Sequence, residues 1–164
     1  MSPYHINITV HILAAFLWLG GLFFFGAVGA PVLRRVEPAS LRVELFQQFG
    51  QQSRRVGWVA IAILMVTGVL NLHFRGLLTW EVLGRASFWG GAYGTALAVK
   101  LFSVVGLLIG SAIHDFVIGP AAGRADPGSE EALRLRRLAA WTGRINALLG
   151  VVLIVAAVVL TRGI

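Results

Sequence analysis

Four long apolar runs dominate the chain, at residues 4–30, 56–78, 92–118 and 138–161. Each matches or exceeds the about 20 residues that a helix needs to cross the hydrocarbon core of a bilayer. Within lipid, the backbone polar groups of a spanning segment are satisfied by helices or closed barrels. The pattern therefore predicts an all-α polytopic membrane protein, a four-transmembrane-helix bundle in which residues 1–164 form a single domain. We identify no internal repeat in the sequence.

Two of the connecting segments carry weaker helical patterns. Between residues 39 and 55, apolar side chains recur at helical spacing: Leu41, Leu45, Phe46 and Phe49. This spacing predicts an amphipathic helix on the membrane surface or an extension of the second span, and we favour the extension. After a break at 126–129, Glu130 and Glu131 suit the first turn of a helix, where the dipole favours acidic residues. We expect that helix to continue into the fourth span.

The arginines set the expected orientation. The composition is 57% hydrophobic and 13% charged, with a net charge of +7 and a mean hydropathy of +0.81. The segment after the first span contains Arg34, Arg35, Arg42, Arg54 and Arg55, and that after the third contains Arg124, Arg134, Arg136 and Arg137. The middle segment has only Arg75 and Arg85. By the positive-inside rule, both termini lie outside a cytoplasmic (inner) membrane. The charge thus reflects topology and lipid contact rather than nucleic-acid binding.

Ionisable side chains within the spans are the candidates for function, because they are costly in hydrocarbon. Counted from the outer ends of their spans, His11, His73 and Lys100 lie at depths that agree within about one helical turn. His5 lies nearer to water. We expect these side chains to form a layer in the outer leaflet. The alternative is that His5 and His73 are interfacial and that Lys100 extends toward water, which leaves His11 unexplained.

Two metal chemistries suit such a layer. Imidazoles can ligate haem iron, with Lys100 pairing to a haem propionate, and they can also bind copper. Copper(I) favours thiolates or thioethers, yet the chain has no cysteine and only Met1 and Met65. Copper would therefore be copper(II), held by His5, His11 and His73. The sequence contains neither a nucleophile elbow nor a phosphate-binding loop.

A second polar group lies toward the cytoplasmic side. His114 and Asp115 come near the end of the third span, and Arg144 and Asn146 lie on the fourth. We expect these four side chains to form an ion-pair and hydrogen-bond network that ties the two helices together.

Short motifs add a family resemblance. From His11 the chain reads HILAAFLWLGGLFFF, in which Trp18 is followed by Gly20 and Gly21. In the second span, VTGVLNL contains Thr67 and Gly68. In the third span, YGTALAVK ends at Lys100, and Pro120 follows that span. This pattern resembles the copper-resistance D (CopD) membrane family and, more weakly, the HemJ-type protoporphyrinogen oxidases. The resemblance implies that His11 is a cofactor ligand, that Lys100 is its functional partner, and that Trp18 and Gly21 line the cofactor.

The leading hypothesis is a CopD-like inner-membrane protein that binds haem b at His11 and Lys100, with His73 nearby, for electron transfer or redox chemistry. Any enzymatic activity would then be that of a haem-dependent membrane oxidoreductase. Copper uptake or delivery across the membrane is the first alternative. The second is a structural subunit of a larger membrane complex. Besides the lipid bilayer, the expected partners are other copies of the chain in a homo-oligomer or the subunits of a larger membrane redox complex.

Overall fold

The computed structural model describes residues 2–126 and 128–162, and these residues form helices and connecting turns without strands. Four helices are long and apolar enough to cross a membrane, and two short helices lie between the second and third of them. In chain order the six helices are α1 Pro3–Leu33, α2 Ala39–Phe74, α3 Trp80–Leu83, α4 Ala86–Gly90, α5 Ala92–Arg124 and α6 Glu130–Arg162. The expected all-α class with four spanning helices is confirmed.

The helices belong to two compact units. The first unit, Met1–Gly84, contains α1 and α2 packed against each other along their lengths. The second unit, Arg85–Ile164, contains α5 and α6 packed in the same manner. Each unit is thus a helical hairpin whose first helix begins on the side expected to be outside.

Local signals explain where the helices begin and end. Pro3 occupies the first turn of α1, where its missing N–H costs nothing. The helix α2 ends at Phe74 rather than near Leu78, because Gly76 adopts a φ of 67° and closes the helix. The Leu77 N–H then bonds to the Leu72 carbonyl at 2.9 Å, which is a Schellman cap.

The other bounds extend the predicted spans at the ends expected to face the cytoplasm. The amphipathic stretch before the second span is the N-terminal part of α2, so the favoured extension is confirmed. The acidic pair Glu130 and Glu131 begins α6, which continues through the fourth span as expected. At 1.5 Å per residue, the 36 residues of α2 measure about 54 Å, well beyond the about 30 Å hydrocarbon core. The helix α2 is therefore longer than a perpendicular crossing of the hydrocarbon requires.

The second hairpin repeats the first in the same register, although no internal repeat was expected from the sequence. Matching residues are separated by 89 positions, and the pairs that are identical at polar or turn positions are Tyr4 and Tyr93, Pro31 and Pro120, Arg35 and Arg124, Pro38 and Pro127, Ser40 and Ser129, and Arg55 and Arg144. The helix limits follow the same shift, since α1 corresponds to α5 and α2 corresponds to α6.

A π-helical turn occurs at the same place in both hairpins. The Ala30 N–H bonds to the Phe25 carbonyl, and the equivalent Gly119 N–H bonds to the His114 carbonyl. A proline follows each turn directly. A proline within a helix lacks an N–H and its ring collides with the carbonyl four residues earlier, and a widened turn relieves that collision. The repeat is thus visible in backbone hydrogen bonding as well as in sequence.

Apolar side chains on the outer faces of the helices are exposed, as expected when lipid is the solvent. Phe16 is 77% exposed and Phe102 is 79% exposed. Small and polar residues instead occupy the contact between the helices of each hairpin, including Asn7, Ala14 and Thr67 in the first. Polar side chains at a helix contact supply hydrogen bonds between helices that apolar packing in lipid does not.

Candidate functional site

A polar cluster joins α1 to α2 in the first hairpin, and it consists of Asn7, His11, Thr67 and Asn71. His11 is half-buried, and its Nδ1 lies 2.7 Å from the Thr67 hydroxyl oxygen. Thr67 is buried and its hydroxyl also lies 2.6 Å from the Ile63 carbonyl oxygen, one turn earlier in α2. The threonine hydroxyl therefore connects the imidazole to the backbone of the neighbouring helix.

These contacts assign the tautomer of His11. The Thr67 hydroxyl has one proton and the Ile63 carbonyl can only accept, so the hydroxyl donates to that carbonyl. The same oxygen must then accept a hydrogen bond from His11 Nδ1–H. In the neutral ring, Nε2 accordingly carries the lone pair. This is the arrangement found in metal-binding histidines, whose second ring nitrogen donates to a fixed oxygen.

Asn7 and Asn71 complete the cluster one turn nearer the N-terminal end of α1. Asn7 Nδ2 donates to the Thr67 carbonyl at 3.0 Å and to Asn71 Oδ1 at 2.8 Å. Both amide protons of Asn7 are thereby used, which fixes the orientation of its side chain and directs Oδ1 as an acceptor. Since Asn7 precedes His11 by four residues, the two side chains share one face of α1.

Helix packing holds His11 closely against α2. A Cβ atom added to Gly68 would lie 3.6 Å from His11 Cε1, so the Nδ1–Cε1 edge of the ring faces α2 at van der Waals distance. Two turns further along α1, Trp18 packs in the same way over Gly57, where an added Cβ would lie 3.7 Å from the indole Cδ1. Trp18 thus makes a helix contact within the first hairpin. Gly21 is exposed and has open space beside it.

The other two histidines of the predicted outer layer lie at exposed positions. His5 Nδ1 is 2.6 Å from the Ser2 hydroxyl, in the first turn of α1. His73 is in the last turn of α2, with its ring centroid 6.0 Å from that of Phe74. Within residues 2–126 and 128–162, no group of three or more histidine, cysteine, aspartate or glutamate side chains is arranged to hold a metal ion. His5, His11 and His73 therefore do not form such a group.

Lys100 belongs to the second hairpin, where it is half-buried on α5. It occupies the register position of His11, since each is the ninth residue of its helix. The surroundings differ, because the equivalents of Asn7, Thr67 and Asn71 are apolar: Ala96, Ala156 and Leu160. The polar cluster around His11 is thus specific to the first hairpin.

Three contacts involve members of the predicted inner group. His114 Nδ1 lies 3.1 Å from Asp115 Oδ1, within the π turn of α5. Asn146 is buried and its Nδ2 lies 3.4 Å from Ser111 Oγ, which provides a link between α5 and α6. The guanidinium of Arg144 lies 5.4 Å from the ring centroid of Trp141 on its own helix.

Sequence reasoning did not identify Asn7 and Asn71 as members of the outer cluster. A signal was present: Asn7 and His11 are four residues apart on one apolar helix, and Thr67 and Asn71 are four residues apart on the next. Two polar pairs at that spacing place a polar stripe on each of two adjacent helices. Such stripes are expected to face each other.

Comparisons with known proteins agree with this architecture. The profile of the family described as copper resistance protein D (CopD) matches residues 43–160. An uncharacterized protein of Aquifex aeolicus (strain VF5) is 25% identical over 146 residues, which cover 88% of this chain and 86% of that protein. No solved structure matches the chain. With four spanning helices and a family match over most of its length, the chain is a multi-pass inner-membrane protein that belongs to the CopD family.

Proposed function

We propose that the protein carries copper across the cytoplasmic membrane, in uptake or delivery, and that His11 Nε2 is a copper ligand in the outer half of the first hairpin. The observation that carries the proposal is the chain of hydrogen bonds from His11 Nδ1 through the Thr67 hydroxyl to the Ile63 carbonyl. It holds the imidazole in the tautomer that presents a lone pair on Nε2. Asn7 Oδ1, on the same face of α1, supplies an oxygen donor one turn away.

The donor set favours copper(II) over copper(I). Imidazole nitrogen and amide oxygen suit copper(II), whereas copper(I) is selected by sulfur ligands. The chain has no cysteine. Met65 is 46% exposed on α2, two residues before the buried Thr67, so its thioether is directed away from the contact with α1. The proposed cargo at His11 is accordingly copper(II).

Copper accounts for these observations better than haem b. The family match concerns copper resistance. The close approach of Gly68 to His11 leaves no space for a flat macrocycle between α1 and α2 at that level. The leading hypothesis from the sequence, haem with electron transfer, gains no support from either observation.

The experiment measures copper in the full-length protein purified in detergent and loaded with copper(II). Wild type is expected to retain bound copper after desalting, and His11→Ala is expected to lose most of it. His5→Ala is the matched control, because it removes an exposed imidazole from the same helix and should leave the copper content unchanged. Cells expressing wild type should also accumulate more copper than cells expressing His11→Ala.

Two outcomes would overturn the proposal. One is equal copper retention by wild type and His11→Ala. The other is a Soret band of co-purified haem that disappears in His11→Ala, which would establish haem ligation instead.

A further inference from the structure

One side of α6 carries exposed basic and aromatic side chains near the end expected to face the cytoplasm. Arg137, Trp141 and Arg144 are spaced by four and three residues, so they share one side of the helix. All three are exposed, Trp141 by 61%. The guanidinium of Arg144 lies 5.4 Å from the ring centroid of Trp141, within the range of a cation–π interaction. These three residues are named the basic stripe.

The charges of the basic stripe are not neutralised by ion pairs. Within residues 2–126 and 128–162, neither Arg137 nor Arg144 makes an ion pair. In sequence, the closest acidic residue on that side of α6 is Glu130, which lies about 10 Å along the helix axis from Arg137. Arg134 lies between Glu130 and Arg137. The basic stripe therefore presents two positive charges to whatever lies against this side of the helix.

The basic stripe continues into a surface of exposed apolar side chains. Leu148 follows Arg144 by one turn and is 66% exposed, and Val155 lies two turns further and is 58% exposed. The segment between Arg144 and Arg162 contains no charged residue and measures about 27 Å, close to the about 30 Å hydrocarbon core. Arg144 is accordingly at the edge of the hydrocarbon. Arg137 lies about 10 Å beyond that edge, at the level of the lipid headgroups.

The first hairpin shows that the fold does not require the basic stripe. The pairs related by the shift of 89 positions are Arg144 and Arg55, Arg137 and Gln48, and Trp141 and Gln52. In place of the charge of Arg137, Gln48 donates a hydrogen bond through Nε2 to the Glu44 carboxylate at 3.0 Å. The apolar surface is retained, because Val59, the equivalent of Leu148, is 62% exposed. A lipid-facing helix of this fold thus needs neither the second arginine nor the tryptophan.

We propose that the basic stripe binds the headgroup of an anionic phospholipid, in the leaflet that the arginine distribution places on the cytoplasmic side. Guanidiniums form strong, charge-assisted hydrogen bonds with phosphate oxygens. The indole of Trp141 has an apolar body and a polar N–H, which suits the boundary between headgroups and acyl chains. The exposed surface at Leu148 and Val155 accommodates the acyl chains, which a free phosphate ion lacks. This proposal does not depend on copper transport.

The test counts phosphatidylglycerol bound to the full-length protein in detergent by native mass spectrometry. Wild type should bind phosphatidylglycerol more tightly than zwitterionic phosphatidylcholine. Arg137→Gln and Arg144→Gln should each weaken the binding of one phosphatidylglycerol molecule by about 10-fold, because each removes a charge-assisted contact. Combining Arg137→Gln with Trp141→Gln reproduces the side chains of the first hairpin, which the fold tolerates, and this variant should lose that lipid.

Arg136→Gln is the matched control. It removes the same charge from an exposed neighbouring position, about 100° around the helix from Arg137, and leaves the basic stripe intact. Its lipid binding should equal that of wild type. Equal weakening by Arg136→Gln and Arg137→Gln would overturn the proposal, since the effect would then follow net charge alone. Equal affinity of wild type for the two lipids would also overturn it, as would binding of inorganic phosphate without phosphatidylglycerol.

Discussion

At the scale of single residues, the Thr67 hydroxyl determines how His11 can act. It accepts from His11 Nδ1 at 2.7 Å and donates to the Ile63 carbonyl at 2.6 Å. Without it, the imidazole could adopt either tautomer and rotate about its side-chain bonds. A partner that fixes a ligand in this way typically contributes 10- to 100-fold in metal affinity.

Replacing Thr67 by valine therefore tests the role of this hydroxyl. Thr67→Val keeps the shape of the side chain and removes its hydrogen bonds, so copper(II) affinity at His11 should fall by about 10- to 100-fold. Thr67→Ser should retain most of the affinity. Competition with a chelator of known copper affinity provides the measurement.

Thr9→Val is the matched control for that prediction. Thr9 is exposed on α1 and its hydroxyl bonds to the His5 carbonyl at 2.9 Å, away from His11. An equal loss of affinity in Thr9→Val and Thr67→Val would contradict a specific role for the Thr67 hydroxyl.

At the scale of helices, each hairpin depends on a larger side chain packed over a glycine. Trp18 covers Gly57 in the first hairpin. In the second, Asn146 covers Gly110 and Leu149 covers Gly106. Small residues let helices approach closely in lipid, where dispersion contacts rather than water exclusion hold them together. The glycine of each pair is therefore expected to tolerate larger side chains poorly.

Gly110→Ala is the clearest case. The added Cβ would overlap Asn146 Oδ1, a short and buried side chain, so the free energy of unfolding should fall by about 1–3 kcal/mol. Loss of helical circular dichroism on heating in detergent gives the measurement. Gly143→Ala is the control, because an added Cβ at Gly143 meets nothing within 4 Å.

A double variant identifies the cause of that destabilisation. Gly110→Ala combined with Asn146→Ala should be destabilised by less than the sum of the two single changes, since the overlap is removed. Strict additivity would show that the Gly110 effect does not arise from Asn146.

At the scale of the whole molecule, charge distribution indicates which ends of the helices face the cytoplasm. The arginines cluster in the segment between α1 and α2 and in that between α5 and α6. Cytoplasmic segments of membrane proteins are enriched in Lys and Arg. Both hairpins should accordingly enter from outside and turn at the cytoplasmic face.

The absence of cysteine from the sequence makes this orientation directly testable. In intact cells, Ser87→Cys should react with a membrane-impermeant maleimide, because the positive-inside rule places the segment between the hairpins outside. Ser40→Cys and Ser129→Cys, at equivalent positions of the two hairpins, should react only after permeabilisation. Labelling of either of these two in intact cells would contradict the proposed topology.

The sequence by itself determined the membrane class, the four spans and the continuous helices α2 and α6. These follow from local properties, because an apolar segment of this length must be helical in lipid whatever it packs against. The sequence also predicted His11 as a candidate site residue, since an ionisable group in an apolar run is conspicuous without knowledge of its neighbours.

The tertiary structure decided which side chains meet. It joined His11 to Thr67 and Asn7 to Asn71, and it left His5 at an exposed position. Contacts between helices depend on the rotation and relative height of both partners, and hydropathy specifies neither. The hydrogen bond that sets the tautomer of His11 is such a contact, so only the folded first hairpin could reveal it.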